Sequence, residues 1–546
     1  MAAVRRVAVI GAGASGLPAT KTCVEEGLDT VCLERADEVG GLWRFTEKVV
    51  EGRSCVMKST VMNTSKEMSC FSDFPPPKDF PNFMQHEVAQ KYFRAYADHF
   101  DLDRHIRYNT EVTKVRRADD YDRTGRWVVE SIDHKSGRKS TETFDAVLVC
   151  SGHHAEKNLP EVPGLSKFEG PVIHSHDYRP DSEHDDKKIL VVGLGNSAGD
   201  LAVELSRKGK QVFLSTRKGT WVLHCYMFRG MPWDLCLNTR FEFWKNSCLP
   251  FSWVEAKMAA TLNQTIDHDL YGLTPACMPF SHSPFLNDEL GGRIICGAVK
   301  VKDDLQRLTT SGVEFKDGSY EDIDVVLMAT GYNIGFPFIE KEVVDIQKNQ
   351  LRFYKQMFQP DLLHQTLAFI GCVQPSGCIW PICELQARLA VSVFKGAVKL
   401  PSRDDMWKEI EANESMRSTR FPNTIRHTLE IDWLPTMDEL AEMIGCKPNI
   451  GRLVLTDPKL ALRVMFGPCL PYQYRLEGPG RWSGARDAVL SFMDRVRFPL
   501  QSRALPPNRR SGLVKTAEWV LFPSFSWVVF LELLVLALLL LALCRG

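Results

Sequence analysis

A chain of 546 residues is too long for a single small core, and length alone suggests three or four domain-sized units. With 44% hydrophobic and 25% charged residues the composition is that of an ordinary globular protein, and a formal net charge of −1 leaves no electrostatic footprint for a nucleic-acid partner. The 16 cysteines are scattered, and even Cys378 and Cys383 lack metal or redox spacing, so no metal site is expected and the thiols read as small apolar side chains in a reducing compartment.

Arg5 and Arg6 stand before an apolar run and weakly imitate a secretory signal. The run is short and broken by glycine, so it reads as a first strand, and no cleaved signal is expected. Residues 7–34 then read strand, glycine-rich turn, helix, strand, a βαβ unit. Gly11, Gly13 and Gly16 form GxGxxG at the turn. The first glycine permits the tight turn, the second lets backbone approach a pyrophosphate, and the third lets the helix pack on the strand with its N-terminus toward the phosphates. Glu34 closes the next strand, 23 residues after Gly11, where an acidic side chain takes ribose hydroxyls. A carboxylate there repels a 2′-phosphate, so this turn suits FAD or NAD. Its expected lining is Gly11, Ala12, Gly13, Ala14, Ser15, Gly16 and Glu34. Gly41, Leu42 and Trp43 join it: the glycine permits another close approach and the indole can cover a flat ring.

Val88, Tyr92, Phe93, Tyr96 and Phe100 predict a helix over 86–100, and 107–150 reads as short strands, the last joining the first sheet. A second βαβ unit covers 189–216, with Gly193, Gly195 and Ala198 as GxGxxA and a helix near 198–208. No carboxylate ends its second strand; Ser215, Thr216, Arg217 and Lys218 stand there instead, and a basic residue at this place accommodates a 2′-phosphate. This turn therefore reads as an NADPH site, with Gly193, Gly195, Asn196, Ser197, Ala198, Gly199, Asp200, Thr216 and Arg217 as its residues. Two dinucleotides with different tasks explain two turns: one is the resident redox centre and the other delivers hydride to it.

Residues 221–290, rich in Trp, Phe, Met and Pro, predict a mostly helical insertion near the active site or a membrane. Residues 313–319 and 324–331 read as strands returning to a sheet, and 446–520 carries little signal. Residues 525–543 are a 19-residue, predominantly apolar stretch with one charge, Glu532, enough for a membrane helix. Trp519 and Trp527 suit the interface. Arg495, Arg497, Arg503, Arg509, Arg510 and Lys515 precede the segment and only Arg545 follows, which keeps the body cytoplasmic. Glu532 leaves a helix lying in the interface open beside a spanning one.

Between the two turns, Phe168, Gly170, His174 and Tyr178 fit FxGxxxHxxxY. This resembles the identifying motif of the flavin-containing monooxygenases. Residues 11–16, 40–43, 63–68, 195–197, 329–332, 373–377 and 384–388 are similar to that family in the same order, and the apolar tail is similar to its microsomal, dimethylaniline N-oxide-forming members. The resemblance covers essentially the whole chain. It implies an α/β fold of two doubly wound Rossmann-like dinucleotide-binding domains plus a C-terminal apolar helix. The FAD domain is discontinuous (1–160 and 331–445), with a linker at 161–188 and the NADPH domain at 189–330 inserted. A C-terminal region at 446–520 and a membrane anchor at 521–546 follow.

The same resemblance implies that NADPH reduces FAD and that O2 adds at flavin C4a to give a hydroperoxide. Its distal oxygen passes to an amine nitrogen or a sulfide sulfur of a small molecule. Asn63 and Asn196 are the implied catalytic residues, with Thr64 beside Asn63, because a carboxamide both donates and accepts at a neutral reactive centre. His174 reads as structural rather than as a general base. Ala198 and Met328 depart from the family's usual Gly and Phe, each mildly. Partners are amine or sulfide substrates, O2 and membrane lipid of the endoplasmic reticulum; a homo-oligomer stays open. The alternatives are Baeyer–Villiger oxygenation, whose motif carries Trp where Tyr178 stands, an NADPH oxidase releasing peroxide, and a non-catalytic NADP(H)-binding protein.

Overall fold

The computed structural model describes residues 4–503 apart from 181, 276, 282–284, 348 and 421–427. In chain order the first parallel sheet begins with β1 (Arg6–Ile10), enters helix α1 (Gly16–Glu25) and returns as β2 (Asp29–Leu33). Helix α2 (His86–His99) and β3 (Ile106–Arg107) follow, then an antiparallel meander (Thr110–Arg117, Trp127–Asp133, Lys139–Phe144) and β4 (Ala146–Val149). The second sheet takes β5 (Val172–His174), β6 (Lys188–Val192), helix α3 (Asn196–Leu205), β7 (Gln211–Ser215), β8 (Val299–Lys302) and β9 (Val325–Met328). The chain then comes back to the first sheet as β10 (Leu367–Phe369).

Strand order is β10-β4-β1-β2-β3 in the first sheet and β5-β9-β6-β7-β8 in the second, all parallel. The two orders superpose role for role: glycine-turn strand in the centre, its βαβ partner on one side, and on the other a strand preceded by an antiparallel meander. In the second half that meander is Leu305–Leu308, Gly312–Phe315 and Tyr320–Asp322. Residues 313–315 therefore belong to a separate antiparallel sheet, and only Val325–Met328 returns to the parallel one, a correction to the expectation that both would.

Parallel strands are buried on both faces and read as continuous apolar runs, with alternate residues feeding two cores. Val7 and Val9 pack with the helices, whereas Ala8 and Ile10 pack with Trp127 and Phe144 of the meander. Ile189 and Val191 likewise face α3, and Leu190 faces Val313 and Phe315. Helix α2 buries Ala89, Tyr92, Phe93 and Tyr96, the i, i+3, i+4, i+7 stripe of an amphipathic helix.

The insertion is less helical than its composition suggests. Its α-helices are α4 (Trp233–Leu237), Arg240–Ser247, Phe251–Asn263 and the start of Leu290–Ile295, framed by a two-strand parallel ladder of Val222–Leu223 with Phe285–Leu286. Pro232 and Pro250 stand at the N-caps of Trp233–Leu237 and Phe251–Asn263, where a missing N–H costs no helical hydrogen bond. Helix α5 (Ile379–Phe394) packs beside α1, and 446–496 supplies three helices and the buried Tyr472, Tyr474 and Arg475. The chain up to Val496 forms one compact unit, and a second begins at Arg497. Among the described residues no helix is long and apolar enough to cross a membrane. The apolar segment 525–543 lies outside the described residues.

Candidate functional site

Gly11 follows β1 at φ 98°, and a Cβ there would meet Cys150 O at 2.8 Å. Gly16 is more constrained still, since its Cβ would fall 1.7 Å from Gly11 O. Gly13 faces Gly41 backbone to backbone: a Cβ on residue 13 would come 3.3 Å from Gly41 Cα. Side chains are thus kept off the surface that a pyrophosphate approaches. Glu34 is buried, and its carboxylate accepts Ala12 N–H at 2.6 Å and Ala36 N–H at 2.7 Å. A carboxylate offers about four lone-pair sites, so two remain for hydroxyls. Ser15 contacts Cys383 Sγ at 3.3 Å, and Leu42 O accepts from Val56 N–H. Trp43 meets Trp380 edge-on at 5.8 Å, with Ala14 packed on the same core. These residues fit a dinucleotide without a 2′-phosphate.

The second turn repeats the plan. Gly193 has φ 112°, and its Cβ would lie 2.5 Å from Ala329 O, the counterpart of Cys150 O. Gly195 precedes α3, whose first residues, Asn196 and Ser197, are exposed while Ala198 and Gly199 are buried. The close approach shifts by one residue here: Gly199, not residue 198, lies against Phe285, where a Cβ would come within 2.0 Å of the ring. That explains why Ala198 fits where the first turn requires Gly16.

Asn196 Oδ1 accepts Leu286 N–H at 3.2 Å, and among the described residues its amide donors have no partner. Asp200 accepts from Asn287 Nδ2, and burial pushes its carboxyl up to about 7 against that bond, with Glu204 and Glu289 adding to the rise. At the end of β7, Thr216, Arg217, Lys218, Thr274, Lys302 and Asp303 line an open cavity of about 550 Å³. Among the described residues neither Arg217 nor Lys218 has an ion-pair partner, so both charges are available to an anion. These residues fit a dinucleotide with a 2′-phosphate.

Residues 57–69 bridge the two halves. Met57 packs in the core beneath α3, and Ser59 Oγ donates to Glu204 on α3. Glu204 also accepts from Tyr178 OH at 2.9 Å, which gives the last position of FxGxxxHxxxY its task. Met62 N–H then returns to Met84 O. Asn63 O accepts the Trp233 indole N–H at 2.7 Å, and Thr64 Oγ1 pairs with Ser69 Oγ at 2.7 Å. Ser65 N–H donates to the Asp234 carboxylate at 2.6 Å. Lys66, buried, donates to the carbonyls of Pro77, Lys78 and Phe80, and burial pulls its ammonium down to about 8. Arg495 grips Glu67 with two hydrogen bonds.

His174 lies elsewhere in function. Its Nδ1 accepts His176 N–H and its Nε2 faces Gly331 O, so both nitrogens are spent on backbone and the ring ties the linker to the 329–332 crossover. Burial lowers its pKa. Sequence reasoning missed Trp233 and Asp234. The signal available was a carboxylate amid apolar residues, at the middle of the stretch from Met231 to Leu237.

Paired Rossmann-like sheets, one turn closed by a carboxylate and the other by cations, define a two-dinucleotide oxidoreductase. Comparison narrows that class. The family model described as "Flavin-binding monooxygenase-like" matches residues 4–540. The chain is 46% identical to flavin-containing monooxygenase 5 of Mus musculus, over 96% of this chain and 99% of that protein. It is 45% identical to dimethylaniline monooxygenase [N-oxide-forming] 2 of Oryctolagus cuniculus, over 92% and 94%. Among solved structures, S-allyl-L-cysteine S-oxygenase from Allium sativum shares the fold at TM-score 0.62 and 24% identity, covering 90% of this chain and 98% of that one. Cyclohexanone monooxygenase from Rhodococcus sp. Phi1 bound to NADP+ shares it at TM-score 0.59 and 17% identity, covering 81% and 97%. The chain belongs to the flavin-binding monooxygenase-like family, and its cofactors are FAD and NADPH.

Proposed function

We propose that FAD is held by Gly11, Ala12, Gly13, Ala14, Ser15, Gly16, Glu34, Gly41, Leu42, Trp43 and Thr64. NADPH is held by Gly193, Gly195, Asn196, Ser197, Ala198, Gly199, Asp200, Thr216 and Arg217. The FAD domain is discontinuous and the NADPH domain is inserted in it. The observation that carries this assignment is the difference between the two strand ends: a buried Glu34 at one, and a cavity lined by Arg217 and Lys218 at the other, where Lys302 is already paired with Glu321. The bound pair supplies hydride from NADPH and an oxygen-activating flavin.

Asn63 and Asn196 present carboxamides from the bridging loop and the start of α3, where each can hydrogen-bond the reacting groups without adding charge. Residues 62–69 are buried except for Asn63, which keeps water from the loop while leaving that one side chain presented. The overall reaction is thioether or amine + NADPH + H+ + O2 giving S-oxide or N-oxide + NADP+ + H2O. The apolar segment 525–543 attaches the body to the endoplasmic reticulum membrane from the cytosolic side, a reading supported by its length and flanking cations.

The test measures NADPH consumed, sulfoxide formed and peroxide released with a thioether as substrate. One sulfoxide per NADPH supports the reading. Stoichiometric peroxide without sulfoxide identifies an oxidase, and lactone from a cyclic ketone in preference to sulfoxide identifies Baeyer–Villiger chemistry.

A further inference from the structure

Asp234 is fully buried on α4, in the second half of the molecule, yet no cation pairs with it among the described residues. Its Oδ2 accepts Ser65 N–H at 2.6 Å, and its Oδ1 has no hydrogen-bond partner among the described residues. The preceding residue, Trp233, is also buried and donates its indole N–H to Asn63 O at 2.7 Å. Two consecutive residues thus hold the backbone on either side of Thr64, across about 170 positions of sequence. A buried carboxylate without a cation is costly, and an apolar side chain would pack this five-residue helix more cheaply. Burial pushes its carboxyl up to about 6, and the largest interaction that favours the charge is the one to Ser65 in the Asn63 loop, with the local backbone of Leu235 and Asp234 adding to it. A backbone N–H bonded to a carboxylate is shorter and stronger than one bonded to a neutral acceptor, which suits a loop that must not drift.

We infer that Trp233 and Asp234 are positioning residues for Asn63: from the opposite half of the molecule they fix the backbone of residues 63–65, so that oxygen transfer stays coupled to NADPH oxidation. The inference rests on the reading of Asn63 above. Without the clamp the carboxamide loses its fixed direction, and the balance shifts toward NADPH + H+ + O2 giving NADP+ + H2O2, with no oxygen in product. Small displacements suffice, because such donors act only when pre-aligned.

The test compares W233F, D234A, D234N and N63A in the flavin-loaded full chain. Flavin content, the peroxide fraction of NADPH consumed with a saturating thioether, and amide hydrogen exchange of a peptide covering 60–70 are measured. The expected result for W233F and D234A is full flavin content, at least a five-fold rise in peroxide fraction and at least ten-fold faster exchange. D234N, which keeps an oxygen acceptor for Ser65 N–H, falls between D234A and the parent. N63A gives the same peroxide rise with exchange unchanged, and adding W233F to N63A raises peroxide no further. Parental coupling in W233F and D234A, or flavin loss parallel to every other change, overturns the inference. If N63A itself couples like the parent, the underlying reading of Asn63 fails instead, so the two failures are distinguishable.

Discussion

The two halves of the molecule share one topology and differ at the ends of matching strands. β2 closes on Glu34, whose carboxylate is buried against Ala12 and Ala36 N–H; β7 closes on Thr216, Arg217 and Lys218, open to a cavity. The first turn also sits deeper: α1 is buried over eight of its ten residues and α5 packs beside it, whereas α3 exposes Asn196 and Ser197 at its start. A cofactor that stays bound needs enclosure, and one that exchanges on each turnover needs an open approach. The same βαβ scaffold serves both because its specificity lies in a few side chains at the strand ends.

The largest break of this symmetry is expected at the glycines. Gly16→Ala places a Cβ on Gly11 O and should abolish flavin retention, measured as flavin absorbance per chain. Gly193→Ala puts the equivalent strain in the second half only, so flavin should be retained while the KM for NADPH rises, on the order of 100-fold for about 3 kcal/mol of strain and lost approach. Arg217→Ala should raise the KM for NADPH about 10-fold and leave that for NADH nearly unchanged, because only the 2′-phosphate loses a charged hydrogen bond. Equal losses for both nucleotides would sink that assignment.

An effect on stability rather than on nucleotide affinity belongs to Asp200. Its folded-state pKa, about 7, lies above the ordinary 3.8 because of burial. The folded state therefore holds a proton that the unfolded chain releases, and stability falls as pH rises from about 4 to about 7. Asp200→Asn, which cannot ionise, should match the parent near pH 4 and exceed it at pH 8 by an amount on the order of a few kcal/mol, read from denaturant midpoints at each pH. Least of all, Ala198→Gly should lower stability by at most about 1 kcal/mol, in contrast to Gly16→Ala at the matching position. A large loss at Ala198 would mean that the shift of the close contact to Gly199 is not what accommodates it.

The sequence by itself determined both βαβ units and the family, because these are local: turn glycines and motif spacing act within about 30 residues. It also placed α2 from periodicity, with Tyr92, Phe93 and Tyr96 buried as expected, although Val88 and Phe100 are only half-buried and Ala89 takes the remaining place in the stripe. Only the tertiary structure decided what holds the bridging loop. Trp233 and Asp234 reach Asn63 and Ser65 from some 170 residues away, and Arg495 reaches Glu67 from 428 away. No periodicity or local motif announces such pairs, because each forms only after separate elements pack and must find partners for their buried polar groups. The same reason explains the misread meander strand at Gly312–Phe315: an apolar run shows that a strand is buried, while the sheet it joins is set by neighbours distant in sequence.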